Sequence, residues 1–267
     1  MPAAIGKALR RAEFWREGQK SLLADISLPG ALGPLPGMET PAEAVKALAP
    51  RVDGLIVNPG VAETFADAFV GKLGAAPLVR LDWTNAVRPA DFVLPPAHVR
   101  RIALGAAEDA LELGACAVAS FLLGYDEDFE AASIQSISFL ARACERLSLP
   151  LLVDLRPIGP KIEPAKFDSA VQLGVSFMVE GGADAISIPL PRKTPALKLL
   201  LDFSPAPLFL QVEDAAALKH EDARAYLAAL EMGCAGLALD SRALANPVGA
   251  AEAARALLSR AAEEAAR

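Results

Sequence analysis

Eight short apolar runs rich in β-forming residues recur along the chain, each closed by a turn signal and followed by a longer stretch of helical period. They are SLLADIS (21–27), GLIVNP (54–59), PLVRLDW (77–83), ACAVASFLL (115–123), PLLVDLRP (150–157), ADAISIP (183–189), PLFLQVED (207–214) and AGLALD (235–240). Helical candidates fall between them near 41–49, 62–73, 97–113, 127–147, 165–180, 194–201, 221–231 and 247–266. Runs that begin abruptly at a proline or small residue and stay apolar at nearly every position suit a parallel sheet buried on both faces. Eight such units, without a composition break or long linker, favour a single α/β (β/α)8 barrel, the TIM barrel, over an open doubly wound sheet. The 267 residues match one such unit. The expected organisation is a short amphipathic extra helix within 1–20 and a barrel over 21–267. That helix, RRAEFWREG, is placed to close the barrel bottom or to reach a neighbouring subunit, and Gly74, Gly114, Gly182 and Gly233 are placed as helix C-caps.

Charge narrows the partners. The net charge of -7 argues against nucleic acid or an anionic membrane surface, both of which need clustered Lys and Arg. Cys116, Cys144 and Cys234 are odd in number and never fall in C-x-x-C spacing, so neither a disulfide framework nor a zinc knuckle is indicated, and a cytoplasmic location is expected. No long uncharged apolar stretch is present, and the expected partner is a small molecule.

Polar residues two apart within an apolar strand share one face. This spacing selects Asp25 with Ser27, Arg80 with Asp82, Asp154 with Arg156, and Gln211 with Glu213, joined by Ser187 and Asp240 at their strand ends. In a barrel these side chains point into the mouth, where the reacting groups of such folds sit. Buried charges need partners. One reading is a structural ion-pair plug of Asp25, Arg80, Asp82, Asp154 and Arg156. The other is a ligand pocket lined by Asp82, Arg156, Ser187, Glu213 and Asp240. No residue is assigned as catalytic, and neither a metal nor a cofactor is expected. The glycine-rich GALGPLPGMETP (30–41) lacks the lysine and spacing of a phosphate loop and reads as an ordered loop over the mouth. YDEDFE (125–130) reads as an acidic helix start. His98 and His220 fall at predicted helix starts, away from strand ends, and Lys161 and Lys193 fall in loops.

The order of segments resembles the archaeal-type class I fructose-bisphosphate aldolases of the deoxyribose-phosphate aldolase group, over roughly 20–250. The resemblance is carried by GPLPGME (33–39), DGLIVNPG (53–60), GACAVASFLLGYDEDFE (114–130), PLLVDLRPIGP (150–160), GGADAISIP (181–189) and GCAGLALDSR (233–242). It implies a Schiff-base lysine at the end of the sixth barrel strand, an acid/base Asp and Tyr, a glycine-rich phosphate cradle on the last two strands, and a homo-oligomer. The lysine's position after G-A-D-x-x is held by Ser187. The Asp of the first strand aligns with Ser27, the Tyr of the fifth with Arg156, the Gly-Gly of the seventh with Val212 and Glu213, and the Gly-Arg of the eighth with Asp240 and Ser241. Serine cannot form an iminium with a ketone. Carboxylates at Glu213 and Asp240 would repel a phosphate.

The expectation is therefore an aldolase-family barrel that has lost class I activity and serves as a pseudoenzyme or as a binder of an uncharged or cationic metabolite. The alternative is an active carbon–carbon lyase with a non-bisphosphate substrate, using Asp82, Asp154, Glu213 and Asp240 around a divalent metal. A third reading is a structural subunit in a mixed assembly, using its first and last helices.

Overall fold

The computed structural model describes residues 2–71, 74–219 and 223–265. Helix α1 (Pro2–Phe14) precedes the first strand, β1 (Ser21–Asp25). The chain continues through α2 (Pro29–Leu32), α3 (Pro41–Leu48), β2 (Gly54–Val57), α4 (Pro59–Thr64), β3 (Ala76–Arg80), β4 (Asp82–Thr84), β5 (Arg101–Ala103), α5 (Ala107–Glu112) and β6 (Cys116–Leu122). The second half alternates regularly: α6 (Glu127–Arg146), β7 (Leu151–Arg156), α7 (Phe167–Gly181), β8 (Ala185–Pro189), α8 (Thr194–Phe203), β9 (Leu208–Val212), α9 (Ala223–Glu231), β10 (Gly236–Leu239) and α10 (Pro247–Ala265).

Eight parallel strands close into a barrel in the order β1-β10-β9-β8-β7-β6-β3-β2, the TIM-barrel architecture, and all eight apolar runs of the sequence supply one strand each. Closure is at β1 and β10, with Ser21 opposite Gly236. Glycine is required there, because a Cβ on residue 236 would fall on the Ser21 carbonyl. Gly182 ends α7 in the left-handed region, φ 92°, and its amide donates back to Met178 and Val179. Gly114 and Gly233 also carry positive φ; Gly74 does not.

Alternation along the strands divides the apolar residues into two layers. Leu22, Leu55, Val79, Val153, Leu210 and Leu239 point outward under the helices. Leu23, Ile56, Leu78, Val118, Leu152 and Phe209 fill the lower lumen. Helix α1, which ends at Phe14 rather than running through RRAEFWREG, takes the first of the two roles open to it and closes the bottom by inserting Phe14, which is 1% exposed and lies 6.4 Å from the Phe209 ring. Lys7 anchors the same helix to Asp184 at 2.9 Å.

Two helical expectations change. The stretch 97–113 is not one helix. Its first part is loop, then β5, which pairs antiparallel with β4, and only Ala107–Glu112 is helical. Asn85 pins this stretch by donating to the His98 carbonyl and accepting the Arg100 amide, main-chain groups that a helix through 98–100 would use itself. His98 therefore lies in a loop, and His220 lies outside the described residues. The helix expected over 62–73 begins earlier, because Pro59 sits at the first helical position, and gives way to a 3-10 turn at Ala66–Phe69. No described helix is long and apolar enough to cross a membrane.

Candidate functional site

Above the apolar lumen, the inward positions of the strands switch to charge. Arg80, at the end of β3, is the hub. Its Nε donates to Ser27 Oγ at 2.6 Å, Nη1 to Ser120 Oγ at 2.6 Å, and Nη2 to Asp25 Oδ2 at 2.6 Å and Asp154 Oδ2 at 3.2 Å. Ser27 Oγ in turn donates a hydrogen bond to Asp25 Oδ1 at 2.6 Å. Arg156, two residues beyond Asp154 on the same face of β7, donates from Nε to Asp154 Oδ2 at 2.7 Å and pairs through Nη2 with Asp240 Oδ2 at 2.8 Å. The other oxygen of Asp154 accepts from Ser187 Oγ and from Gln211 Nε2, both at 2.7 Å. Ser27, Asp154, Arg156, Ser187, Gln211 and Asp240 are all buried.

Electrostatics keep Asp154, Asp240, Arg80 and Arg156 ionised. Burial by itself would raise the carboxyls of Asp154 and Asp240, but the facing arginines outweigh it and hold both below the ordinary carboxylate range. Burial would likewise lower Arg80 and Arg156; the surrounding aspartates reverse this and raise both.

Asp82 looks the other way. One oxygen accepts from Arg101 Nε at 2.7 Å and from the Ser120 amide at 2.9 Å, while Oδ1 has no hydrogen-bond partner and lies 3.7 Å from Arg80 Nη1. Glu213 is the one pocket candidate outside the lumen: it is exposed at the rim, where it meets Arg242 Nη2 at 2.8 Å. Arg242 also holds Asp240 Oδ1 at 2.8 Å, so Asp240 is flanked by two arginines.

The sequence-selected residues thus converge into one network, which Glu213 joins only at the rim through Arg242, and that network fills the mouth. What open space remains between Ser27, Asn58, Arg80, Asp82, Ser120 and Arg156 is a cavity of about 20 Å³, room for a single water. A lid closes over it. The loop after β1 and the β4–β5 connection are clasped by Trp83 Nε1 donating to the Gly30 carbonyl at 3.1 Å and Arg88 Nε donating to the Ala31 carbonyl at 2.9 Å. The Arg88 guanidinium lies 5.4 Å from the Trp83 ring and 5.1 Å from the Phe92 ring.

The buried charged side chains among the described residues are Asp25, Arg80, Asp82, Asp154, Arg156 and Asp240; none is a lysine. Lys193 is exposed at the start of α8, and Lys161 is exposed and paired with Glu127 at 2.6 Å. No group of three or more His, Cys, Asp or Glu side chains among the described residues is placed to hold a metal ion. Asp154, Glu213 and Asp240 spend their oxygens on arginine and on neutral donors. Ser120 and Arg101 were not selected from the sequence. Ser120 had a signal, as a polar residue two positions from Val118 within an apolar run; Arg101 lay in the stretch read as helix.

No family model matches the chain. An uncharacterized aldolase of Saccharolobus solfataricus is 24% identical over 237 residues, covering 87% of this chain and 86% of that protein. The 2-amino-3,7-dideoxy-D-threo-hept-6-ulosonate synthase of Halobacterium salinarum is 28% identical over 196 residues, 70% of this chain and 72% of that protein. Among solved structures, an archaeal fructose-1,6-bisphosphate aldolase with its catalytic lysine bound to a carbinolamine intermediate superposes with a TM-score of 0.73 at 19% identity. The match covers 96% of this chain and 99% of that one. The relatives and structural neighbours are thus archaeal-type fructose-bisphosphate aldolases and related aldolases.

Proposed function

We propose that this relative of the archaeal-type aldolases performs no Schiff-base chemistry and is a pseudoenzyme of the aldolase barrel. The observation that carries the reading is the setting of Ser187. It stands where the resemblance puts the lysine, and its hydroxyl donates at 2.7 Å to an Asp154 that is also bound by Arg156 and Arg80. A hydroxyl cannot condense with a ketone to the iminium that serves as electron sink. A substrate carbonyl would in addition have to displace a buried ion-pair network to reach it. Asp240 and Glu213, at the positions of the phosphate cradle, place carboxylates where the family uses backbone amides. Any ligand that enters the mouth from the Asp240–Glu213 side meets carboxylates and arginines already paired with one another, which favours an uncharged metabolite over a sugar bisphosphate.

Borohydride trapping tests the proposal. The protein is incubated with dihydroxyacetone phosphate or a simple ketone, reduced, and weighed intact. An unchanged mass is expected; a covalent adduct on any lysine would overturn the reading.

A further inference from the structure

A polar opening lies beside the mouth, between residues 97–103 and the start of α6. It is a groove of about 660 Å³, the size of a small-ligand cleft. The α6 wall presents Phe129 and Ser133 at the four-residue spacing that aligns one helical face, and Tyr125, in the turn just before the helix, lines the groove with them. The Tyr125 and Phe129 rings lie 5.1 Å apart and form its apolar floor. Ser133, 3% exposed, lines the same wall one turn further along the helix.

The two walls differ in sign. His98 and Arg100 line one wall, exposed, and their side chains have no hydrogen-bond or ion-pair partner among the described residues. Asp128 lines the other, likewise unpartnered, while the neighbouring Asp126 is spent on capping the Phe129 amide at 2.8 Å. The opposed charges do not reach each other. An anion would be drawn to Arg100 and repelled by Asp128, and a cation the reverse; a molecule carrying both charges satisfies both walls.

We propose that this groove binds a small zwitterion, its carboxylate toward Arg100, its ammonium toward Asp128 and its apolar body on the Tyr125–Phe129 floor. The site is separate from the lumen and does not depend on whether the barrel mouth is catalytic.

Calorimetric titration of the full chain tests this with two zwitterions of different span, L-phenylalanine and 6-aminohexanoate. The single-charge controls are 3-phenylpropanoate and 2-phenylethylamine. Saturable binding of at least one zwitterion is expected, with both controls weaker than L-phenylalanine by roughly tenfold or more where that is the binder. Arg100→Gln should weaken the zwitterion by a similar factor, as should Asp128→Asn, and Ser133→Ala by a few-fold. Arg100 and Asp128 are exposed, so both variants should retain the wild-type melting temperature, which separates lost binding from lost fold. Saturable binding of neither zwitterion, controls that bind as tightly as L-phenylalanine, or wild-type affinity in both Arg100→Gln and Asp128→Asn would each overturn the proposal.

Discussion

Arg156 Nη2 and Asp240 Oδ2 lie 2.8 Å apart, a buried ion pair that spans the lumen from the fifth barrel strand to the eighth. Because Arg156 also holds Asp154, its loss removes one arginine from each of two buried carboxylates. Arg156→Ala should destabilise the fold by about 3–5 kcal/mol, the range for breaking a buried pair from one side. The double variant with Asp240→Ala should cost less than the sum of the two singles. Urea denaturation of the four proteins measures both quantities; additive losses would show that the two groups act independently.

Acid sensitivity follows from the same layer. Asp154 and Asp240 are held below their ordinary range, so they contribute stability that is complete above about pH 4, the unfolded value, and is lost as pH falls through their lowered folded values. Asp240→Asn should flatten that acid limb while lowering stability at neutral pH. Melting temperatures recorded from pH 7 down to pH 2 check the slope, and an unchanged slope would assign acid unfolding to other carboxylates.

Restoring a lysine should not restore the chemistry. In Ser187→Lys the new amine would stand beside Asp154, which favours its charged form, whereas attack on a carbonyl needs the neutral amine. Intact mass after borohydride treatment with a ketone should remain that of the unmodified variant.

The clasp over the mouth is a separable element. Arg88→Ala removes the hydrogen bond to Ala31 and both ring contacts. Amide exchange should quicken in 28–34 and 85–100 and stay unchanged in the barrel strands. The cost to stability should be on the order of 1 kcal/mol. Uniform quickening across the barrel would instead make the clasp part of the global fold.

The barrel was legible because a strand buried on both faces must be apolar almost throughout, and runs such as PLLVDLRP admit few other readings. The inward direction of Arg80, Asp154, Arg156 and Gln211 was legible from period two alone. Whether those side chains line a pocket or close on one another was not, since alternation fixes direction and says nothing of reach; the long arginines decide it by crossing the lumen. The hairpin of β4 and β5 was hidden for a related reason. Residues 98 and 100 are tied by their main-chain groups to Asn85, a contact that local propensity cannot see. With that stretch read as helix, the groove beside it and the roles of Arg101 and Ser133 went unseen.

Phe14 has a consequence for the order of assembly. It precedes every barrel strand in sequence, yet its cavity is completed by Phe209 and Ala238 from β9 and β10. The base of the barrel is therefore sealed by a contact between distant parts of the chain, formed only once β9 and β10 have joined the sheet.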